Sequence, residues 1–321
     1  MKKLLSFLVV IAGLIVTIAY SALTGTVEMT VSELSKGLFG NESENYVVVK
    51  DLRFPRIIVA LFAGACLSVA GLLLQAVMRN PLADAGIIGI SAGSAFVQTF
   101  ILTMFPMLFF MTPVLAFAGG ALACALVFML SWKSGLNPLK IILVGIAVSA
   151  MFTGLKEAFE VVCSFAGVMM DGSVASNLTM KTWSDVQLIA TYGIAGLVLS
   201  FIIFKWCNLL QLEDKTMKSL GFNVARARII IAAIAVLLAA MATSTAGVIS
   251  FVGLLVPHIA RRLVGTDHKV LIPFTALAGA LLILVADTLG RTVIYPSELP
   301  ASTLMAIIGG PFLIFLIRKD K

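Results

Sequence analysis

Long apolar stretches, separated by short polar or glycine-containing segments, run through almost the whole chain. A helix that crosses a membrane needs about 20 apolar residues, because each residue adds about 1.5 Å along the axis and the hydrocarbon layer is about 30 Å thick. Apolar runs of this kind predict ten spans. They are residues 4–23, 57–78, two spans within 85–132, 141 to about 159, 186–204, two spans within 229–258, 270–289 and 299–317.

The two longest runs are divided by residues that interrupt helices. Pro106 and Pro113 punctuate the run 85–132, and the run 229–258 is expected to turn near residues 245–247. The first run is longer than the core of a signal peptide, which has about 7–15 apolar residues, so an uncleaved first helix is expected. The pattern predicts an all-α polytopic membrane protein with about ten transmembrane helices and one domain over residues 1–321.

Composition agrees with a membrane protein and excludes a water-soluble one. Hydrophobic residues make up 60% of the chain, charged residues only 12%, and the mean hydropathy is +1.08. Soluble domains carry about 25% charged residues. The cysteines lie singly in apolar segments without a CxxC spacing, so they are expected to be buried apolar side chains rather than metal ligands or disulfides. They are Cys66, Cys124, Cys163 and Cys207.

The basic residues predict the orientation of the chain. If both termini are cytoplasmic, 16 of the 23 Lys and Arg residues fall in cytoplasmic segments, whereas 11 of the 16 acidic residues fall outside. Cytoplasmic loops of membrane proteins carry an excess of Lys and Arg. The net charge of +7 therefore reflects topology and does not indicate a nucleic-acid partner.

Enzymatic chemistry finds little support in the sequence. The chain has two histidines, His258 and His268, and contains no HExxH, GxSxG or GxxxxGK[ST] motif. If ATP drives this protein, another chain must bind it. We predict neither an enzyme nor a bound metal or cofactor.

Three polar features each allow two interpretations. The predicted cytoplasmic loop at about 208–225 contains a short amphipathic stretch, a glycine stop at Gly221 and Asn223, which is expected to cap a second short helix before the next span. The loop is either a linker or a knob that docks on a partner. Arg53, Arg56 and Arg291 lie at the outer mouths of spans, where they either anchor the helices in the interface or meet an acidic partner.

The third polar feature lies at the outer end of the fifth span, where Lys156, Glu157 and Glu160 follow one another closely. Charge is costly there unless it faces water or a partner. These residues either mark the helix end at the interface or form a polar rim of a transport path.

Several segments, in collinear order along nearly the whole chain, resemble the FecCD family of permease subunits from bacterial ABC importers for iron-siderophores, haem and cobalamin. They are LRFPR at 52–56, GACLSVAG at 64–71 followed by Gln75, RNPLAD at 79–84, GISAG at 89–93, LG at 220–221 leading to Ala225 and Arg226, FVGLLVPH at 251–258 followed by Arg261 and Arg262, AD at 286–287 through Arg291, ELP at 298–300, and GGPF at 309–312. One departure is that Pro300 is followed by Ala301 and Ser302, where the family usually has a small residue and glycine.

The resemblance implies a type II ABC importer permease in the bacterial cytoplasmic membrane. Two permeases, identical or different, would enclose the path, and two separate ATPase subunits would power it. Arg53, Arg56 and Arg291 match arginines that dock an extracytoplasmic substrate-binding protein. The loop 213–225 matches the segment that couples to the ATPase, with these candidate contacts: Glu213, Asp214, Lys215, Lys218, Leu220, Gly221 and Asn223.

The sequence indicates the family more specifically than it indicates the substrate. TMKTWSD at 179–185 and NLLQLED at 208–214 look like haem permeases of the iron-regulated surface determinant type. Haem is therefore the favoured cargo, with a ferric siderophore next and cobalamin as a further alternative. A stand-alone secondary transporter would instead need ion-coupling carboxylates in mid-span, and the nearest candidates, Asp287 and Glu157, lie near span ends.

Overall fold

A computed structural model describes residues 2–25, 29–38, 44–86, 88–132, 138–168, 178–294 and 297–319, and these residues form helices and connections without a strand. Residues 133–137 of a predicted cytoplasmic loop and residues 169–177 of the second predicted outer loop lie outside the described residues, as do Met1, Asp320 and Lys321 at the termini. The all-α prediction is confirmed.

The long helices follow the predicted spans closely. They are α1 (Lys2–Leu23), α4 (Phe54–Met78), α5 (Ile90–Met104), α6 (Thr112–Trp132), α7 (Pro138–Phe165), α8 (Trp183–Ile202), α11 (Val224–Ala246), α12 (Val252–Val264), α13 (His268–Thr292) and α14 (Ala301–Lys319). Shorter helices are α2 (Val31–Leu38), α3 (Glu44–Val48), α9 (Phe204–Leu209) and α10 (Asp214–Ser219). A π-helical turn over Val49–Arg53 joins α3 to α4, and a 3₁₀ turn over Pro106–Met111 precedes α6.

Seven helical segments of the described chain are long and apolar enough to cross a membrane. The helices α5, α12 and α14 are shorter in their apolar part; α12 has only 13 residues, or about 20 Å. The turn predicted near residues 245–247 lies between α11 and α12, where Gly247 has a φ of 77°. Length alone therefore does not establish the count of ten, which stays a prediction together with the side of the termini.

The helix α4 lies at the centre of the bundle and packs against α8, α11, α12 and α13. The helical stretch Tyr46–Met78 contains α4, and 83% of its most apolar 18-residue segment is buried. The corresponding share for α8 is 22%. Glycines let backbones approach at two crossings. A Cβ at Gly64 would lie 2.1 Å from the carbonyl oxygen of Gly279 on α13, and one at Gly71 would lie 2.2 Å from that of Gly253 on α12.

The segment between α4 and α5 ties α12 to this core through a buried carboxylate. Asp84 accepts hydrogen bonds from the backbone N–H groups of Ala85, Gly86 and Phe251, the last of which precedes α12. Burial raises the pKa of Asp84 to about 6, while these hydrogen bonds favour the ionised form. Asp84 thus fixes where α12 begins relative to the end of α4.

The close crossings predict a strong steric effect at Gly64. Gly64→Ala should lower the midpoint of thermal unfolding in detergent, because the new methyl group meets the backbone of α13, which cannot rotate away. Overpacking of this kind costs about 1–3 kcal/mol. The matched control is Gly310→Ala on α14, where a Cβ would find open space. Equal midpoints for the two variants would contradict the close packing.

Candidate functional site

Charged side chains from distant parts of the chain meet at the end of the bundle predicted to face outside. Arg56, near the start of α4, binds the carboxylate of Asp287 on α13 through Nε (3.1 and 3.0 Å to Oδ1 and Oδ2) and through Nη2 (2.8 Å to Oδ1). Its Nη1 donates to Oε2 of Glu298 at 2.9 Å. We call Arg53, Arg56, Asp287, Arg291 and Glu298 the outer charge cluster.

The other two arginines of the cluster contact the end of α1. Arg53 donates through Nη1 to the carbonyl of Ala22 at 2.8 Å, and Arg291 donates through Nη2 to the hydroxyl of Ser21 at 2.5 Å. Nε of Arg291 also lies 3.5 Å from Oδ2 of Asp287, one helical turn before it. The cluster therefore joins α1, α4 and α13 at one end of the bundle.

Burial separates the members of the outer charge cluster. The residues Arg53, Arg56 and Asp287 are 6%, 9% and 2% exposed, whereas the side chain of Glu298 is 38% exposed. A cavity of about 220 Å³ lies beside Arg56, Asp287 and Glu298 and is also lined by Leu178 and Thr179. The cluster thus combines the guanidinium groups of three arginines with the carboxylates of Asp287 and Glu298.

The structure thus brings the three arginines predicted for docking together, but Arg53 and Arg56 are buried and bound to groups of the chain itself. Their docking role stays a prediction. Sequence reasoning gave no role here to Glu298, because it is 242 positions from Arg56 and no local pattern links the two. The spacing of Asp287 and Arg291, four residues apart on a helix, was the one available signal.

At the opposite end, the predicted coupling loop contains α9, α10 and the start of α11. Gly221 has a φ of 74° and ends the turn after α10. The side chain of Asn223 accepts a hydrogen bond from the backbone N–H of Arg226 at 3.0 Å. Asn223 therefore caps the long helix α11 itself, not a separate short helix, because the chain continues into the span without a second break.

The helix α10 is anchored on one side and open on the other. The carboxylate of Asp214 pairs with Arg79 at 2.6 Å and with Arg228 at 3.1 Å, and the side chain of Met217 is fully buried. The remaining six predicted coupling residues are exposed: Glu213, Lys215, Lys218, Leu220, Gly221 and Asn223. The structure thus leaves most of the predicted coupling residues exposed at this end of the bundle, and their contact with an ATPase stays a prediction.

A second group of hydrogen bonds holds this loop against the start of α13. The side chain of Asn208 donates to Asp267 at 2.7 Å and accepts from the backbone N–H of His268 at 2.9 Å. The hydrogen bonds from Asn208 and from the backbone N–H of Lys269 lower the pKa of Asp267. The loop is therefore held in place against the start of α13.

The third predicted group lies along α7. Lys156 pairs with Glu160 at 2.7 Å, one helical turn away, while Glu157 is exposed. Glu157 lines an open groove of about 430 Å³ together with Ile146, Ser149, Ala150, Thr153 and Gly154. The structure separates Glu157, which faces the groove, from the pair beside it.

Comparison with known proteins identifies the family. Residues 13–319 match the FecCD transport family. The chain belongs to this family. It is 39% identical, over 100% of its own length and 97% of the relative, to a permease protein of Staphylococcus aureus strain Newman that is named for a heme-iron transport system, IsdF.

Solved structures show the same architecture. The chain matches an inward-facing structure assigned to a metal-chelate type ABC transporter with a TM-score of 0.81 and 29% identity, covering 97% of both chains. It also matches PsaBC from Streptococcus pneumoniae with a TM-score of 0.60 and 17% identity, covering 89% of this chain and 95% of that one, a likeness of fold alone. The predicted ABC importer permease fold is confirmed.

The outer charge cluster predicts a compensating pair of substitutions. Arg56→Met should destabilise the protein by about 3 kcal/mol, because it leaves the buried carboxylate of Asp287 with only a weak partner. Adding Asp287→Asn should recover part of that loss by removing the buried charge. The measurement is thermal unfolding of the purified protein in detergent.

The control for this pair is Arg226→Met, since Arg226 is exposed at the other end of the bundle. That variant should unfold like the unmodified chain. If Arg56→Met and Arg226→Met unfolded alike, or if Asp287→Asn worsened the loss, the Arg56–Asp287 pair would not carry the stability assigned to it.

Proposed function

We propose that this chain is the permease subunit of an ATP-driven importer that carries haem across the bacterial cytoplasmic membrane. The observation that carries the proposal is the end-to-end similarity to a permease named for heme-iron transport. A ferric siderophore is the second candidate cargo, supported by the structural match to a metal-chelate type transporter. Cobalamin follows as a third.

The exposed face of α10 and the turn after it is the proposed contact with the ATPase. Leu220 is 67% exposed, and the charged residues Glu213, Lys215 and Lys218 of the same short segment are exposed as well. Protein–protein interfaces have an apolar centre and a polar rim, so Leu220 with its charged neighbours is the proposed centre of this contact. The ion pairs of Asp214 with Arg79 and Arg228 would transmit a movement of α10 to the ends of α4 and α11.

The outer charge cluster is the proposed contact with an extracytoplasmic substrate-binding protein. Its arginines suit acidic side chains, and electrostatic complementarity of this kind steers docking. A second permease, identical or different, would complete the path. The groove along α7 is the proposed wall of that path on this subunit, with Glu157 at its rim.

The permease contributes no chemical step in this scheme. Transport follows from two arrangements of the helices, whose balance ATP and the binding protein shift. Two packed groups are available for such a movement: α5, α6 and α7 pack on one another, and α1, α8, α11, α12 and α13 gather around α4. The groups meet where α11 packs on α5 and α6.

The test of the proposed function is iron uptake by a strain that lacks only this chain, supplied with iron as haem or as a ferric hydroxamate. Loss of haem uptake, restored by the intact gene, would support the proposal. Loss of siderophore uptake alone would indicate a ferric siderophore as the cargo and leave the proposed architecture unchanged. If neither fell in a strain without another iron importer, the iron assignment would be wrong.

The same strain tests the α7 groove. Gly154→Trp should reduce uptake strongly, because the indole fills a groove that is open at this position. The control is Leu155→Trp, since Leu155 is 46% exposed on the same helix but does not line the groove. Equal uptake by the two variants would show that the groove does not line the transport path.

The α10 surface predicts a loss of ATPase binding. Leu220→Asp should reduce the amount of ATPase chain that copurifies with the permease by about tenfold, the factor that corresponds to 1.4 kcal/mol. Leu212→Asp, at an exposed leucine before α10, is the matched control. Full ATPase recovery with Leu220→Asp would place the contact elsewhere, and failure of the unmodified chain to recover any ATPase would favour a stand-alone transporter.

A further inference from the structure

The two carboxylates that bind Arg56 differ in how firmly they hold it. Asp287 is 2% exposed and engages both Nε and Nη2, so the guanidinium plane is fixed against α13. Glu298 reaches only Nη1, through a single oxygen, and its side chain is 38% exposed. A two-point charged contact restrains orientation far more than a one-point contact at the surface.

A buried guanidinium requires a counter-ion. Asp287, which also lies 3.5 Å from Nε of Arg291, supplies the main one to Arg56. The contact with Glu298 is an additional one at the edge of water, where an ion pair contributes about 0–1 kcal/mol. Arg56 can therefore change its second partner at little cost while the first keeps it in place.

Glu298 is also linked to the start of α14. Its Oε2 accepts a hydrogen bond from the hydroxyl of Thr179 at 3.2 Å, and the next residue, Leu299, donates its N–H to the carbonyl of Gly290 on α13 at 2.9 Å. The helix α14 begins at Ala301, three residues after Glu298. Whatever holds Glu298 thus helps to hold the N-terminus of α14.

We propose that Glu298 is an internal stand-in for a carboxylate of the substrate-binding protein. On docking, an acidic side chain of that protein takes the place of Glu298 at Nη1 of Arg56. Asp287 is the positioning residue that keeps Arg56 oriented during the exchange. The release of Glu298 then loosens the segment 297–300 and the start of α14. This inference rests on the proposed function.

The cavity beside the contact makes the exchange possible in steric terms. It has a volume of about 220 Å³ and is lined by Arg56, Asp287, Glu298 and Thr179 among others. A carboxylate group is far smaller, so it can approach Nη1 while Asp287 stays in place. A released Glu298 can turn toward water, because it is already more than one third exposed.

The experiment measures binding of the substrate-binding protein that copurifies with the unmodified chain from native membranes. That protein is titrated onto the full-length permease in nanodiscs. Glu298→Gln should bind about two- to fivefold more tightly, the effect of removing a competing surface ion pair. A gain in affinity is an outcome that mere structural damage does not produce. Asp287→Asn should bind more weakly, because Arg56 loses its orientation.

Two controls make the titration specific. Asp51→Asn removes the same charge from an exposed position near the same end of α4 and should leave the affinity unchanged. In an Arg56→Lys background, Glu298→Gln should lose its effect, since the competition needs the second guanidinium nitrogen. If Glu298→Gln bound equally or less tightly, or gained affinity only as much as Asp51→Asn, the exchange would be overturned.

A spin label at Ser297→Cys tests the proposed loosening of the segment 297–300. Ser297 is exposed, and the native cysteines are buried. The label should become more mobile when the binding protein is added and should already be mobile in Glu298→Gln. Unchanged mobility on binding would contradict the release. Absence of any copurifying binding protein would instead count against the proposed function itself.

Discussion

The close packing of α4 is the constraint on which the rest of this structure depends. Lipid is as apolar as a leucine side chain, so helices in a membrane are held by van der Waals contact and hydrogen bonds rather than by the hydrophobic effect. Small residues make such contact possible, and Gly64 and Gly71 place α4 directly against the backbones of α13 and α12. The position of α4 in turn decides where its two charged ends lie: Arg53 and Arg56 at one end of the bundle and Arg79 at the other.

Both ends of α4 carry arginines that find carboxylates on other elements. Arg56 meets Asp287 and Glu298, and Arg79 meets Asp214 on α10. The buried helix α4 connects these two groups of charges. A rigid shift of α4 would therefore move the arginines at both of its ends. This arrangement gives a physical route by which a partner at one face could influence the other, and it requires no chemistry within the membrane.

The two clusters are built differently. The outer charge cluster is mostly buried, so its arginines are expensive to leave without partners. The α10 surface instead keeps one anchoring carboxylate and leaves most of its charges and Leu220 in contact with water. The two ends of the bundle therefore present different surfaces, one largely buried and one largely exposed.

The sequence by itself determined the helical membrane class, the approximate place of the ten apolar segments, and the turns near Gly247 and at Gly221. These features follow from local properties, namely the length of apolar runs and the conformations that glycine and asparagine allow. The family was also readable, because its motifs are short and collinear. The partners of Arg56 were not readable from the sequence, since Glu298 reaches Arg56 only when the segment before α14 folds back on α13. The short length of α12 and the burial of Arg53 likewise depend on how helices pack. Tertiary structure decided them because charge in apolar surroundings is stable only beside its counter-ion, and that counter-ion comes from a distant part of the chain.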